Sequence, residues 1–102
     1  MSKKKKFKIV YLPVAQEDLL DILDYIKKDN PAAAVQFIER IDKTIGKLST
    51  FPYLGKVPKD DRLKVMGYRM LIIDNFIIFY VVKKVIEIRR VIHGSRRYEF
   101  LL

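Results

Sequence analysis

Residues 68–94 read YRMLIIDNFIIFYVVKKVIEIRRVIHG, a mostly apolar stretch that the other segments of the chain must cover for it to fold. Three runs rich in β-branched and aromatic residues are separated by two polar pairs, Asp74-Asn75 and Lys83-Lys84. Such runs, broken by short polar turns, are typical of consecutive antiparallel strands joined by hairpins. The stretch therefore predicts a three-stranded β-meander.

Two-residue turns would fix which residues of the meander lie opposite each other and therefore share a face. The predicted pairs are Ile73 with Phe76, Arg69 with Tyr80, and Tyr80 with Glu87. One face is then nearly all apolar and is expected to pack against helices: Tyr68, Met70, Ile72, Ile77, Phe79, Val81, Ile86, Ile88 and Ile92. The other face is the predicted partner-binding face and mixes two groups: Arg69, Tyr80, Glu87, Arg89 and His93, with Leu71, Ile73, Phe76, Ile78, Val85 and Val91. A shift of one residue in either turn would exchange the two faces.

The segments before the meander predict one strand and two helices. Residues 7–12 alternate around a lysine and indicate a first strand at the sheet edge. Pro13 suits the first turn of a helix, and Asn30-Pro31 is typical of an N-cap followed by the first residue of a second helix. The expected inward stripes are Ala15, Leu19, Ile22, Leu23 and Ile26, then Ala34, Phe37, Ile38, Ile41, Ile45 and Leu48.

These elements predict an α+β fold of order β-α-α-β-β-β in a single domain, residues 1–102. A short break between the helices forces them into an antiparallel hairpin, which we expect to pack on one face of a four-stranded antiparallel sheet. A long connection, residues 49–67, joins the hairpin to the meander. It is longer than most loops in compact domains, so it is either functional or ordered against the core, and we expect Phe51, Tyr53 and Leu54 to be buried there.

The net charge of +9 is unevenly distributed along the 102 residues. Residues 13–49 hold five basic and seven acidic residues, a balance of −2, and the remainder holds sixteen basic and five acidic residues, a balance of +11. This distribution indicates a polyanionic partner, either nucleic acid or an acidic protein, although a basic protein without such a target has the same composition. Residues 1–6 are predicted to be a flexible basic arm, and residues 95–102 a basic tail.

Several classes of site and location are not expected from this sequence. The chain has no cysteine, no apolar run of about 18 residues, and no apolar stretch of a signal peptide after its lysine run. We therefore expect a cytoplasmic protein that does not bind a membrane. No Gly-rich phosphate loop or zinc-protease motif is present, and Asp60-Asp61 is expected to be a turn, so we predict neither a metal site nor a cofactor.

The lone histidine, His93, ends the last predicted strand, and Arg96, Arg97 and Tyr98 follow it closely. A histidine among arginines can act as general acid or base on a phosphodiester while guanidinium groups hold the phosphate oxygens. The alternative is a hydrogen-bonded histidine at the end of a strand, next to a solvated basic tail. Both interpretations stay open at this point.

A second candidate is the predicted row of Arg69, Tyr80 and Glu87 across three strands. An Arg–Glu pair beside a tyrosine could form a catalytic row, but the same pattern is found in ordinary cross-strand ion pairs. Glu87 and His93 are six residues apart on one strand, or roughly 20 Å at ~3.3 Å per residue. The row and the basic tail are therefore not expected to form one compact active site.

The order of elements and the basic last strand resemble the RelE/ParE superfamily of type II toxin–antitoxin toxins, most closely its ParE (plasmid stabilisation) branch. The segments that carry the resemblance are Ala15-x-x-Asp18-Leu19-x-x-Ile22-x-x-Tyr25-Ile26, Phe51-Pro52-Tyr53-Leu54-Gly55, Gly67-Tyr68-Arg69, Ile77-Ile78-Phe79-Tyr80 and Ile88-Arg89-Arg90-Val91-Ile92-His93-Gly94. Together they cover nearly the whole chain from Phe7.

The resemblance implies a growth-inhibiting toxin that a neighbouring antitoxin neutralises. ParE-like members poison DNA gyrase, and RelE-like members cleave mRNA on the ribosome without a metal. Cleaving members have an arginine where this sequence has Phe76, whereas Arg96 matches their second arginine and Arg69 is near their lysine-bearing strand. This incomplete set favours gyrase as the target, which we expect to bind through the partner-binding face of the sheet and through Arg96 and Arg97 of the basic tail.

Two alternatives to a gyrase toxin remain. One is an mRNA endonuclease that uses Arg69, His93, Arg96 and Tyr98, and the other is an inactive toxin fold that acts only as a binding module. In each case we expect an acidic antitoxin, disordered when alone, to cover the apolar side chains of the partner-binding face and to place carboxylates against Arg69 and Arg89. A homodimer that buries the same face is the competing explanation.

Overall fold

The computed structural model describes residues 6–102, so of the predicted basic arm only Lys6, which is exposed, lies within the described range. The regular elements are β1 (Ile9–Tyr11), α1 (Pro13–Asp29), α2 (Pro31–Gly46), α3 (Asp61–Val65), β2 (Tyr68–Ile73), β3 (Phe76–Val82) and β4 (Ile86–His93), with 3-10 turns at Lys47–Ser49 and Tyr98–Phe100. The predicted order is confirmed, and α3 is an addition inside the long connection.

The helical hairpin forms where the sequence predicts it. Its first helix begins at Pro13, and its second begins at Pro31 after a single intervening residue. The side chain of Asn30 accepts a hydrogen bond from the backbone N–H of Ala33 at 3.2 Å, which satisfies one of the free donors at the start of α2. The predicted inward residues pack in one cluster with the sheet, except that Ala34 is buried outside this cluster and Ile38 is exposed.

The sheet has the strand order β1-β4-β3-β2 and is antiparallel except at one edge. There β1 lies parallel to β4, so the edge position of the first strand is as predicted but its direction is not antiparallel to its neighbour. The two helices carry the chain back across the sheet and cover one of its faces. The predicted α+β architecture, with helices packed on a mostly antiparallel sheet, is confirmed.

The first hairpin turn has the predicted two residues, and the second does not. Ile73 lies opposite Phe76, and Asp74 has a φ of 53°, the left-handed conformation that tight hairpin turns require. The turn between β3 and β4 has three residues, so Tyr80 lies opposite Ile88 instead of Glu87. The register shifts again between Phe79 and Tyr80, where a β-bulge in β4 lies beside them.

The prediction of which face packs against the helices is wrong for β2, for β3 and for the end of β4, where Val91 and Ile92 exchange faces. The face that the hairpin covers carries Leu71, Ile73, Ile78, Tyr80, Ile86, Ile88 and Val91, all of them buried. Only Ile86 and Ile88 were expected there. Both faces of β2 and β3 are apolar, so the alternation of residue types could not decide between them. Phe76 packs partly against the same cluster, and Val85 is half-buried in a turn, so the predicted exposed apolar patch does not exist.

The opposite face of the sheet is also covered, by α3 and the C-terminal residues. Leu63 of α3 and the side chains of Tyr98, Leu101 and Leu102 pack over Tyr68, Phe79, Val81 and Ile92. Arg62 donates hydrogen bonds to the backbone carbonyls of Glu99 at 2.5 Å and Leu102 at 3.1 Å. The predicted basic tail is therefore docked on the sheet through its apolar side chains, and the sheet is the middle of three layers.

Candidate functional site

Arg69 and Tyr80, two residues of the predicted catalytic row, lie opposite each other as expected but bind a loop. The guanidinium of Arg69 donates to the carbonyl oxygens of Tyr53 at 3.2 Å and Gly55 at 2.8 Å. The hydroxyl of Tyr80 donates to the carbonyl of Pro52 at 2.9 Å and accepts from the N–H of Gly55 at 2.8 Å. Both side chains hold the backbone of the long connection in place.

Tyr80 is buried and lies directly against Gly55. Its side chain is fully buried in the centre of the sheet, and burial raises the pKa of the Tyr80 hydroxyl, an effect that the Gly55 N–H only partly offsets. A Cβ atom at Gly55 would lie 2.7 Å from the carbonyl oxygen of Met70 and 2.8 Å from the Tyr80 ring. Only glycine therefore allows this close approach.

The residues carried by this connection do not enter the core as predicted. Phe51, Tyr53 and Leu54 are all exposed, although the backbone between them is firmly held. The backbone carbonyls of Pro52, Tyr53 and Gly55 accept hydrogen bonds from the sheet, and the Tyr53 ring lies 5.0 Å from the Arg69 guanidinium. Hydrogen bonds from Arg69 and Tyr80 hold the loop in place of the buried apolar side chains that the sequence predicts. We call residues 51–57 the apolar loop.

Glu87 is separated from Arg69 and Tyr80 because it lies on the other side of the sheet. Its carboxylate accepts hydrogen bonds from Arg89 at 2.7 Å and 3.2 Å, and the Arg89 guanidinium lies 5.7 Å from the ring centre of Tyr68. Burial opposes the charge of Arg89, yet its hydrogen bond to Glu87 raises the pKa of Arg89 above its usual value. The predicted row is therefore two separate sets of contacts.

His93 lies at the end of β4 with its ring edge-to-face against Phe76, 5.3 Å between ring centres. Its Nδ1 accepts a hydrogen bond from the backbone N–H of Ser95 at 3.2 Å and lies 2.7 Å from the Ser95 hydroxyl. Because Nδ1 is an acceptor, the proton of the neutral ring is on Nε2. The ring borders a cavity of about 310 Å³, whose lining residues include Ile72, Asp74 and Ser95.

The tail residues next to His93 divide into packed and exposed side chains. Tyr98 packs on Phe79 with 4.9 Å between ring centres and is half-buried, so its ring belongs to the second core. Arg96 and Arg97 are exposed, and within residues 6–102 no carboxylate pairs with either of them. The Arg97 guanidinium lies 5.3 Å from the ring centre of Phe100.

The residues of the predicted RNA-cleaving set are not all brought together. His93 and Arg96 are linked by a turn, in which the Arg96 N–H donates to the His93 carbonyl at 3.0 Å. Arg69 is two strands away and four residue steps along the sheet, or roughly 16 Å from His93 at ~3.3 Å per residue and ~4.8 Å per strand. Its guanidinium is also occupied by the carbonyls of the apolar loop.

One contact that the sequence reasoning missed joins α1 to β4. Asp18 accepts hydrogen bonds from Arg90 at 2.8 Å and 3.0 Å and from the backbone N–H of Val91 at 3.0 Å. The strand β1 ends opposite Ile88 and does not reach Val91. The Asp18 carboxylate therefore accepts the hydrogen bond that the backbone N–H of Val91 would otherwise give to a neighbouring strand. The hydrogen bond to Asp18 raises the pKa of Arg90. An acidic residue at a helix position next to the sheet is a signal that could have indicated such a pair.

Two further observations concern ligands and membranes. Among residues 6–102, no three acidic or histidine side chains are grouped closely enough to hold a metal ion. Over the same described range, no helix combines the length and the apolar character needed to cross a membrane.

Comparisons with known proteins add a family. The family model for the ParE toxin of the type II toxin–antitoxin system parDE matches residues 9–98. The chain also resembles a solved structure described as the chromosomal ParDE toxin–antitoxin system of P. aeruginosa, with a TM-score of 0.74 and 21% identity over 89% of this chain and 99% of that chain.

A second similar structure is described as the RelBE2 toxin–antitoxin complex of Mycobacterium tuberculosis. Its TM-score is 0.58 at 18% identity, over 86% of this chain and 98% of that chain. No curated protein sequence matches the chain closely enough to add a relative. Both structural similarities concern the fold, whereas the family model spans almost the entire described sequence. The chain therefore belongs to the ParE toxin family of type II toxin–antitoxin systems.

Proposed function

We propose that this chain arrests growth by acting on DNA gyrase in the cytoplasm and that a cognate acidic antitoxin neutralises it. The observation that supports the proposal is the match of the ParE toxin model to residues 9–98, since gyrase is the target that the resemblance to ParE-like toxins implies. The solved structures similar in fold are described as toxin–antitoxin systems, which supports a protein partner.

The charge distribution supports an acidic or polyanionic partner. Outside residues 13–49 the chain carries a charge balance of +11, and the exposed guanidinium groups of Arg96 and Arg97 have no carboxylate partner among residues 6–102. Guanidinium groups form the stronger class of charge-assisted hydrogen bonds with carboxylates and phosphates. The proposed target contact is therefore the tail, together with His93 beside it.

Cleavage of mRNA is the less favoured alternative. Phe76 occupies the position of an arginine in cleaving relatives, and its ring packs against Phe37 with 5.3 Å between ring centres. Arg69 donates its hydrogen bonds to carbonyls of the apolar loop, so its guanidinium group is already occupied by the fold. Tyr98 is similarly engaged by Phe79. An active site built on Arg69, His93, Arg96 and Tyr98 would have to break these contacts.

A growth assay combined with two reactions in vitro tests the proposal. The protein is expressed from an inducible promoter, and the purified protein is incubated with gyrase, ATP and supercoiled plasmid, and separately with ribosomes programmed with mRNA. We expect growth arrest and trapped DNA breaks without cuts in the mRNA. Cuts in the mRNA without DNA breaks would establish the endonuclease. If the protein produces no DNA breaks, no mRNA cuts and no growth arrest, it acts only as a binding module.

The tail is tested by removing two charges there. We expect Arg96→Ala with Arg97→Ala to abolish growth arrest, because these exposed guanidinium groups are the proposed charge-assisted contacts to the target. A matched control is Lys83→Ala with Lys84→Ala, which removes two exposed charges from a hairpin turn. Thermal melts should show both variants folded. Full growth arrest by the tail variant would place the target contact elsewhere.

A further inference from the structure

The apolar loop projects four large apolar side chains into solvent within seven residues. The exposed fractions are 59% for Phe51, 62% for Tyr53, 50% for Leu54 and 47% for Val57. A single exposed apolar residue is ordinary on a protein surface, but a contiguous group of this kind indicates an interaction site. Of these four side chains, only the Tyr53 ring has a described contact, with the guanidinium of Arg69.

The backbone of this loop is nevertheless held to the sheet by hydrogen bonds. Besides the hydrogen bonds from Arg69 and Tyr80, Lys56 exchanges two backbone hydrogen bonds with Met70 of the edge strand, at 2.8 Å and 2.9 Å. The N–H of Leu54 donates to the carbonyl of Phe51 at 3.1 Å and closes the turn. A partner that contacts these side chains therefore does not have to order the loop, which removes one of the usual costs of binding.

The surroundings of the apolar loop are cationic. Residues 43–59 contain four lysines, Lys43, Lys47, Lys56 and Lys59, between Asp42 on one side and Asp60-Asp61 on the other. Two hydrogen bonds between Phe7 and Ser49, at 2.9 Å and 3.0 Å, bring the basic segment around Lys8 to the base of the loop. An apolar centre with a charged rim is the usual arrangement of a protein–protein interface.

The observations favour a protein segment over a nucleic-acid strand. Stacking on bases requires free aromatic faces, but the guanidinium of Arg69 lies 5.0 Å from the ring centre of Tyr53 and covers one of its faces. Leu54 and Val57 add apolar surface that bases do not stack on. Leucine or valine side chains fit such a surface, and carboxylates fit its lysines.

We propose that the apolar loop is the docking point for an acidic, apolar segment of the antitoxin. The inference rests on the proposed antitoxin partner and adds where that partner binds. Apolar side chains of the segment contact Phe51, Tyr53 and Leu54, and its carboxylates pair with Lys56 and Lys59. This surface is distinct from the exposed arginines of the tail. The docked segment therefore does not itself cover the proposed target contact, which another part of the antitoxin must block.

The test is the binding of the purified product of the reading frame adjacent to the gene for this chain, measured by calorimetry. The loop variant is Phe51→Ala, Tyr53→Ala and Leu54→Ala. The matched control is Val14→Ala with Val65→Ala, which truncates exposed apolar side chains outside the loop, one on α1 and one on α3. We expect the loop variant to bind at least ~100-fold more weakly, as expected when interface hot spots are lost, and the control to bind like the parent chain.

The lysine rim has its own measurement. Lys56→Ala with Lys59→Ala should weaken binding at low salt and reduce the loss of affinity between low and high salt, because exposed charge pairs are screened by ions. Unchanged salt dependence would contradict the predicted pairing with carboxylates.

The remaining outcomes separate this inference from the proposed function. If the loop variant binds as tightly as the parent chain, the docking inference is wrong and the antitoxin partner stands. If the parent chain itself does not bind the adjacent product, both the antitoxin partner and the docking inference fail. If the loop variant binds that product but no longer arrests growth, the apolar loop contacts the target instead. If a single-stranded RNA oligonucleotide binds the parent chain but not the loop variant, the loop binds RNA and the inference is also wrong.

Discussion

The hydroxyl of Tyr80, in the centre of the sheet, accepts a 2.8 Å hydrogen bond from the backbone N–H of Gly55, which precedes it by 25 residues. The same hydroxyl donates to the carbonyl of Pro52 at 2.9 Å. A buried side chain of the core thereby shapes the exposed loop that we propose as the docking point. Folding of the sheet and presentation of the apolar loop are therefore coupled.

Replacing Tyr80 by phenylalanine tests this coupling. Tyr80→Phe retains the buried ring but removes both hydrogen bonds and leaves the N–H of Gly55 without its partner. We expect a loss of about 1–3 kcal/mol in the free energy of unfolding, the usual cost of an unsatisfied buried polar group. Urea unfolding measures it. A loss below about 0.3 kcal/mol would mean that the hydroxyl does not hold the loop.

Glycine substitutions compare a crowded position with an open one. At Gly55 a Cβ atom would lie 2.7 Å from a backbone oxygen, whereas at Gly46 nothing lies within 4 Å. We expect Gly55→Ala to destabilise the protein by about 1–3 kcal/mol through overpacking. Gly46→Ala, at the end of α2, should be neutral or stabilising by up to about 1 kcal/mol. Equal effects on the melting temperature would contradict the close approach at Gly55.

Asp18→Ala should be strongly destabilising because it leaves Arg90 and the N–H of Val91 without their shared acceptor. Both charged side chains are largely buried, and breaking such a pair costs about 3 kcal/mol. The control is Arg40→Ala, which breaks the exposed pair with Asp74 and should cost no more than about 1 kcal/mol. Unfolding in urea compares the two variants, and a small effect of Asp18→Ala would argue against a role in closing the sheet edge.

Phe79→Ala tests the second core. Phe79 is fully buried beneath Tyr98, on the face of the sheet covered by α3 and the C-terminal residues. Truncating a buried phenylalanine costs about 3–5 kcal/mol. Phe100→Ala, at a 79% exposed position of the same tail, should change stability by less than about 0.5 kcal/mol. If Phe79→Ala is equally mild, the tail does not cover this face in solution.

Tyr11 gives the stability a dependence on alkaline pH. Burial, with a smaller contribution from the charge of Asp42, raises the pKa of Tyr11 to about 12, against about 10 in the unfolded chain. Because the folded state holds the proton more tightly, stability is lost as the pH rises from about 10 towards 12. We expect the free energy of unfolding to fall more steeply over this range in the parent chain than in Tyr11→Phe. Parallel curves would contradict a raised pKa.

The sequence predicts the elements of the fold well but not how the sheet faces are used. Proline and asparagine mark the helix starts, and polar pairs mark the hairpin turns, because these residues act locally on the backbone. The third residue of the turn before β4 and the bulge beside Tyr80 have no comparable local signal. Since β2 and β3 are apolar on both sides, only the tertiary structure selects the face that the helices cover.

The candidate site is harder to predict because its residues depend on long-range contacts. Arg69 and Tyr80 were expected to form an exposed row with Glu87, but their hydrogen bonds go to a loop whose position the sequence does not specify. Phe51 and Tyr53 were expected in the core because apolar residues usually are buried. A partner-binding role is one reason for such residues to remain exposed, and this cannot be distinguished from a core role by residue type alone.

The proposed action of this ParE family member on gyrase is tested most directly by the amount of linear plasmid that gyrase forms as the protein is titrated. We predict that linear DNA increases with the parent chain and stays at background with the variant Arg96→Ala and Arg97→Ala, while Lys83→Ala with Lys84→Ala behaves like the parent. Background levels of linear DNA at every concentration of a parent chain that arrests growth would contradict the claim.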